Sequence, residues 1–209
     1  MPWLRPPSPR LGRLCVVLIA SVVIMGCAAP KQQWPAPSDP MQRTAAAHLV
    51  PTKQEEFTTH THAHLDVFLN GDHVPVPAGI GIDIHANGVD ENPSPLPPGK
   101  QYRVGVCDVP CLSPLHTHDP SGTLHTESVD PPPVVFTLGQ FFAEWGVKLD
   151  SSCVGQFCTP STEIILYVGG VKQTGDPAAI PLAANTEIAI VIGSPPSAIP
   201  STWEFQPGE

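Results

Sequence analysis

His60, His62 and His64 stand two residues apart, as do His116 and His118, and His125 follows shortly after. Neutral imidazole is a good ligand for Zn, Cu, Ni and Fe. On a β-strand, residues two apart point to the same side, roughly 6–7 Å from one another. Each His-x-His pair can therefore turn two rings toward one ion. A catalytic metal site commonly keeps three protein ligands and one open position. Glu127 shares a strand face with His125, and Asp119 follows His118 directly. Either carboxylate could bind an ion, orient an imidazole from behind or accept a proton from bound water. The competing reading is a polar sheet face without metal, because His-Thr-His occurs at both sites. His60, His62, His64, His116, His118 and His125 are the candidate ligands. His73 and His85 are weaker candidates, and His48 falls in a stretch without pattern.

These rings need strands to hold them. Residues 59–69 alternate cleanly, with His60, His62, His64 and Asp66 on one face and Thr61, Ala63, Leu65 and Val67 on the other. Asn70-Gly71 marks a tight hairpin turn, followed by a short edge strand near 73–76 that Pro75 and Pro77 interrupt. Residues 79–84 alternate again, 86–100 read as a polar, Pro-rich loop, and 102–106 as a short strand. Residues 115–128 read as a second hairpin around Asp-Pro-Ser-Gly. A four-residue loop sets His116 opposite His125 and His118 opposite Thr123, whereas a glycine bulge slips His125 opposite Thr117. The spacing leaves both registers open. Thr137 and Gln140 form a capping-box pattern, Leu138, Phe141, Phe142 and Trp145 lie on one helical face, and Gly146 can end the helix. This predicts a helix over 138–145 with its aromatic face in the core. Residues 163–169 and 187–192 are β-branched strands.

The expected fold class is α+β, mostly antiparallel β with one short helix. The final strand, Gly-Gly turn and strand resemble the end of β-grasp (ubiquitin-like) domains, which implies a β-grasp-like sheet. A β-sandwich is the alternative.

The chain has 209 residues, room for one ordinary domain, and its 28 Pro exclude a long helical bundle. Ten basic residues against 19 acidic give a net charge of −9, which argues against nucleic acid as a partner. There are only 3 Met, two of them within the first 25 residues, which argues against a methionine-rich Cu(I) carrier, and Zn or Cu(II) fits better. No GxSxG, HExxH or P-loop motif occurs.

Arg5, Arg10 and Arg13 precede an apolar run from Leu14 to Met25, too short to span a bilayer and shaped like a secretory leader. Its end, Ile24-Met25-Gly26-Cys27, resembles the lipobox of bacterial lipoproteins. That resemblance implies lipidation of Cys27, cleavage before it, and anchorage to the cell membrane on the extracytoplasmic face. The organisation then reads as a signal peptide over 1–26, a flexible Pro/Ala-rich tether over 27–56, a His-rich domain over 57–193 and a Pro-rich tail over 194–209. Cys107, Cys111, Cys153 and Cys158 remain as an even set in an oxidising compartment. Two local bridges, Cys107–Cys111 and Cys153–Cys158, and two crossed pairings are all open. A thiolate metal site is the less favoured use, because neither spacing is CxxC.

The segments HTHAHLDVFLNG, PVPAGIGID, PLHTHDPSGTLHTES and FTLGQFFAEWG together resemble a group of exported bacterial and archaeal proteins without an assigned activity. The likeness spans about 59–147 and implies a domain unit rather than a chemistry. HxH with a later Glu is similar to the cupin motif, but Glu127 lies too far after His118 for that site to be carried over.

Three functions compete. The first is a membrane-tethered lipoprotein whose histidine face binds Zn or Cu. The second is a metal-dependent enzyme with a three-histidine site. The third is a structural or interaction lipoprotein that uses no metal.

Overall fold

Strand β1 (Thr59–Leu69) is the hub of the fold and pairs with three other strands. The computed structural model describes residues 33–55, 58–95, 97–129 and 134–205. One edge of β1 pairs in parallel with β11 (Thr186–Ile192). Its other edge is shared. The C-terminal end takes β2 (Asp72–Val74), and the N-terminal half takes β6 (Thr123–Ser128), both antiparallel. Outside β6 lies β5 (Leu115–His116), and outside β11 lie β9 (Ile164–Val168) and β10 (Val171–Lys172). The order β2-β1-β11-β9-β10, with one parallel pair at its centre, is the β-grasp-like arrangement. Together with two short helices it makes a mostly antiparallel α+β fold. The sandwich alternative falls away, since one mixed sheet carries the core. The ribbons β3–β4 (Val89–Pro95, Pro98–Val104) and β7–β8 (Cys153–Val154, Phe157–Cys158) are only two-stranded.

The period of β1 divides the sheet into two faces. Ala63, Leu65 and Val67 bury against helix α2 (Leu138–Trp145), joined by Leu115, Leu124, Ile188 and Ile190. Helix α2 forms where the pattern places it. Thr137 Oγ1 accepts the Gln140 N–H, the Gln140 side chain accepts the Thr137 N–H, and Gly146 closes the helix at φ 73°. Phe141, Phe142 and Trp145 are all at most 2 % exposed. At roughly 25 cal/mol per Å², burial of three large aromatics makes this face a principal source of stability. The opposite face carries the histidines, so burying one set of side chains dictates where the other set points.

Asn70 and Gly71 take φ of 53° and 89°, as a two-residue hairpin requires. Gly122 is fixed by crowding: at φ 94°, a Cβ there would meet Leu65 O at 2.6 Å and His64 Nε2 at 2.9 Å. Its carbonyl accepts the Leu65 N–H at 3.0 Å, where β1 passes from β6 to β2.

Three stretches differ from expectation. Residues 86–100, expected as a loop, hold most of the β3–β4 hairpin, which runs on to Val104; its prolines, Pro93, Pro95 and Pro98, fall in the half nearest the turn, and the rest of the ladder needs only backbone donors and acceptors. Residues 79–84 form turns instead of a strand, because Gly79 and Gly81 take positive φ. Residues 33–55, expected within the tether, pack on the domain. Trp34 meets Trp145 edge to face at 5.8 Å, helix α1 (Pro40–Ala46) lies beside α2, and Thr52 bridges to Leu112. Cys27 lies outside the described residues. Both local disulfides, Cys107–Cys111 and Cys153–Cys158, are formed. They point to an oxidising compartment. No described helix is long and apolar enough to cross a membrane.

The α1–α2 contact contains a buried acid. Glu144 Oε1 accepts a hydrogen bond from Ser113 Oγ at 2.6 Å, and Oε2 lies 3.0 Å from Thr44 Oγ1. Thr44 Oγ1 is also 3.1 Å from the Pro40 carbonyl. One hydroxyl proton cannot serve both, so a proton on Glu144 completes the set. Burial raises the Glu144 pKa to about 7, against the opposing pull of Ser113, Thr44 and Arg43. A carboxyl raised in this way stabilises the fold fully below about 4.5, and the contribution is lost as pH climbs through 7. Glu144→Gln should remove that loss. Its unfolding free energy from urea titration should be close to wild type at pH 5 and exceed it at pH 8, by roughly 2–3 kcal/mol. Equal pH dependence in the two proteins would show that Glu144 ionises freely.

Candidate metal centre

On the face away from α2, β1 and β6 bring His60 opposite Glu127 and His62 opposite His125, and β5 adds His116 opposite His125. The hairpin therefore takes the four-residue register. Strand β5 ends at His116, and His118 leaves the ladder instead of facing Thr123. What redirects it is the strand expected near 102–106, which here belongs to β4. Tyr102 of β4 donates its N–H to the His118 carbonyl at 2.9 Å and accepts the His118 Nδ1–H at 2.6 Å.

Five of the six candidate histidines gather into one cluster. His60 Nε2, His62 Nε2 and His125 Nδ1 lie 3.0–3.1 Å from one another. Tetrahedral ligands at 2.0–2.1 Å from a zinc ion are about 3.3 Å apart, so this triangle is within a few tenths of an ångström of a ligand set. Its hydrogen bonding is frustrated. Each nitrogen is either a donor or an acceptor, and three mutual contacts always leave one pair of the same kind. A cation above the triangle satisfies all three lone pairs at once. In the second group, His116 Nδ1 donates to Ser113 O at 2.9 Å, just as His118 Nδ1 donates to Tyr102 O. Both Nε2 atoms then turn inward, 3.1 Å apart. A backbone acceptor behind each ring fixes its tautomer and orientation, as around metal ligands generally. His125 belongs to both groups.

Burial keeps most of this cluster neutral. His62 is pushed down to about 4 by burial, helped by His60 and His118. Burial first, then the neighbouring rings, drives His116 and His125 well below the usual range. Burial also lowers His60, against the attraction of Glu55. His118 is different: burial opposes its charge, but the Glu55 hydrogen bond and the Tyr102 carbonyl outweigh that, and its pKa is raised. Glu55 Oε1 lies 3.2 Å from His118 Nε2. The neutral rings are in the form that binds a metal ion.

Of the two candidate carboxylates, Glu127 lies inside the cluster, with Oε1 3.8 Å from both His60 Nε2 and His116 Nε2. Asp119 holds the hairpin turn by accepting the Ser121 N–H at 2.8 Å, and it lines an open cleft of about 410 Å³. Glu55, Tyr102, Arg103, His118 and His125 also line that cleft. Glu55 escaped the sequence reading because it lies in the stretch taken as a tether. The one available signal was an acidic pair just ahead of the first histidine.

His64 stands apart from the other five, in a group with Asp66 and Glu187. Its Nδ1 lies 2.7 Å from Glu187 Oε2, and its Nε2 is 2.8 Å from the Ser121 carbonyl. Both nitrogens donate, which only the protonated ring can do. Burial works against the charge, yet the Glu187 and Ser121 hydrogen bonds prevail and raise the His64 pKa. Trp203 of the C-terminal segment lies flat on this ring at 3.7 Å and 5°. His73 bonds Asp66 at 3.0 Å, away from the cluster.

The fold and the cluster define a β-grasp-like domain with five imidazoles converging on one sheet face. No protein-family model, curated protein or solved structure matches the chain. The buried histidine groups could hold a metal ion.

Proposed function

We propose that this protein is a membrane-tethered extracytoplasmic lipoprotein whose histidine-rich sheet face binds a transition metal, Zn or Cu. The triangle of His60, His62 and His125 nitrogens carries the reading, because a cation relieves a donor–acceptor conflict that the three rings cannot resolve alone. Imidazole donors suit Zn and Cu, and the shortage of methionine disfavours Cu(I). The lipid anchor rests on the Cys27 motif, and the two disulfides support an oxidising address. Such a protein meets its metal outside the cytoplasm and needs no nucleic-acid partner.

The cleft beside His118 favours one further reading, a metal-dependent enzyme. An ion at the cluster would face a space large enough for a small substrate, with Arg103 and Tyr102 at its wall. Glu127 would be the group placed to accept a proton.

The test is metal content of the full-length protein, purified without a histidine tag in detergent and measured by elemental analysis. At least one equivalent of Zn or Cu per chain is expected, retained through desalting. A protein that stays empty after incubation with either ion sinks the metal reading. For the anchor, Cys27→Ser should move the protein from the membrane to the soluble fraction.

A further inference from the structure

We propose that the cluster is built for two metal ions, one held by His60, His62 and His125 and the other by His116, His118 and Glu55, with the Glu127 carboxylate between them. This rests on the metal-binding reading above.

Counting donors gives the first argument. Five imidazoles and two carboxylates exceed the four ligands a Zn ion takes in a protein site. The rings also fall into two sets. His60, His62 and His125 meet at 3.0–3.1 Å through one group of nitrogens. His116 and His118 meet at 3.1 Å through another. The orienting contacts differ as well. His116 and His118 are aimed by Ser113 O and Tyr102 O.

Glu127 supplies the second argument. Its Oε1 is equidistant, at 3.8 Å, from His60 Nε2 of the first set and His116 Nε2 of the second. A carboxylate between two ions about 3.5–4 Å apart is a common bridging element. His125 stands between the two sets, and its Nδ1 belongs to the first. Two divalent ions bring four positive charges into a buried site. Glu127, 2 % exposed, and Glu55 at the rim are the anions placed to offset them.

The two positions differ in access. The cleft of about 410 Å³ is lined by His118, Glu55 and His125, and by neither His60 nor His62. The second ion faces that cleft and is the one open to exchange or to a small ligand. Phe205 lies 6.3 Å from the His62 ring, on the side of the first.

Cu(II) is the probe. The metal-free full-length protein is titrated with Cu(II) and followed by elemental analysis after desalting and by electron paramagnetic resonance. Two equivalents should bind, and the signal of the first should broaden or collapse as the second couples to it. Glu55→Gln and His118→Asn, both near the surface, should each bind one equivalent and keep an uncoupled signal. Saturation of wild type at one equivalent would overturn the two-ion arrangement and leave metal binding intact. Two equivalents in both variants would also overturn it. No binding at all would overturn both readings.

Discussion

His125→Ala should abolish stable metal binding by the His60–His62–His125 triangle, with an affinity loss there of at least about a hundredfold for Zn or Cu. The expectation follows from position. His125 Nδ1 closes the triangle at 3.0 and 3.1 Å from His62 and His60, and its ring lies 5.1 and 4.5 Å from those of His116 and His118. Its ring thus contacts all four of the others. Removing one ligand of three leaves His60 and His62 as a two-nitrogen site, which binds far more weakly. Thermal unfolding with and without EDTA separates this from a folding defect. An ion present at 100–1,000 times its dissociation constant stabilises the native state by about 3–4 kcal/mol. At roughly 2–4 °C per kcal/mol, chelation should lower the wild-type melting temperature by roughly 6–16 °C. The variant should lose most of that response and keep at most the share due to an ion at His116, His118 and Glu55. An EDTA shift as large in His125→Ala as in wild type would show that the triangle holds no ion.

His64→Ala should be the most destabilising single substitution on this face, at about 3–5 kcal/mol. The ring is fully buried and donates to Glu187 and to Ser121 O. Without it, Glu187 and Asp66 are left with no cation between them, and Trp203 loses the surface it stacks on. Burial already raises the Glu187 pKa, with Asp66 adding to it and His64 opposing. Losing His64 removes that opposition, so Glu187 takes up a proton more readily in the variant. In wild type the His64 contribution is fully present below about 6.5 and is lost as pH rises through its raised pKa. Chemical denaturation at pH 5, 6.5 and 8 measures both effects. A cost under 1 kcal/mol at every pH would mean that the pair is dispensable.

Much of the scaffold was legible because burial and backbone pairing impose strict periods. Strand 59–69 was read in full from alternation, since a one-residue slip would turn Leu65 and Val67 to the wrong face. Helix 138–145 was read from its caps, which are local chemistry. The register of His116 against His125 was one of two readings, and the loop alone could not choose between them. Long-range partners were not legible. Glu55 reaches His118 across the fold, Trp203 reaches His64, and Tyr102 aims His118 from a hairpin rich in proline. None of these contacts leaves a periodic trace. The separation of His64 from the other five was equally hidden. Its strand face matches theirs, and only β11, arriving late in the chain with Glu187, draws it into a different bond.

The connectivity of β1 also sets an order of events during synthesis. All five clustered imidazoles are present once the chain has reached Ser128, yet the strand that completes the sheet, Thr186–Ile192, emerges near the end. Pairings this distant in sequence form slowly, because a long loop must close before any contact rewards it. Until then, the first and second hairpins can meet only through each other. An ion captured by that half-made sheet would tie His60 and His62 to His125 across more than sixty residues, and so act as a folding nucleus before it acts as anything else.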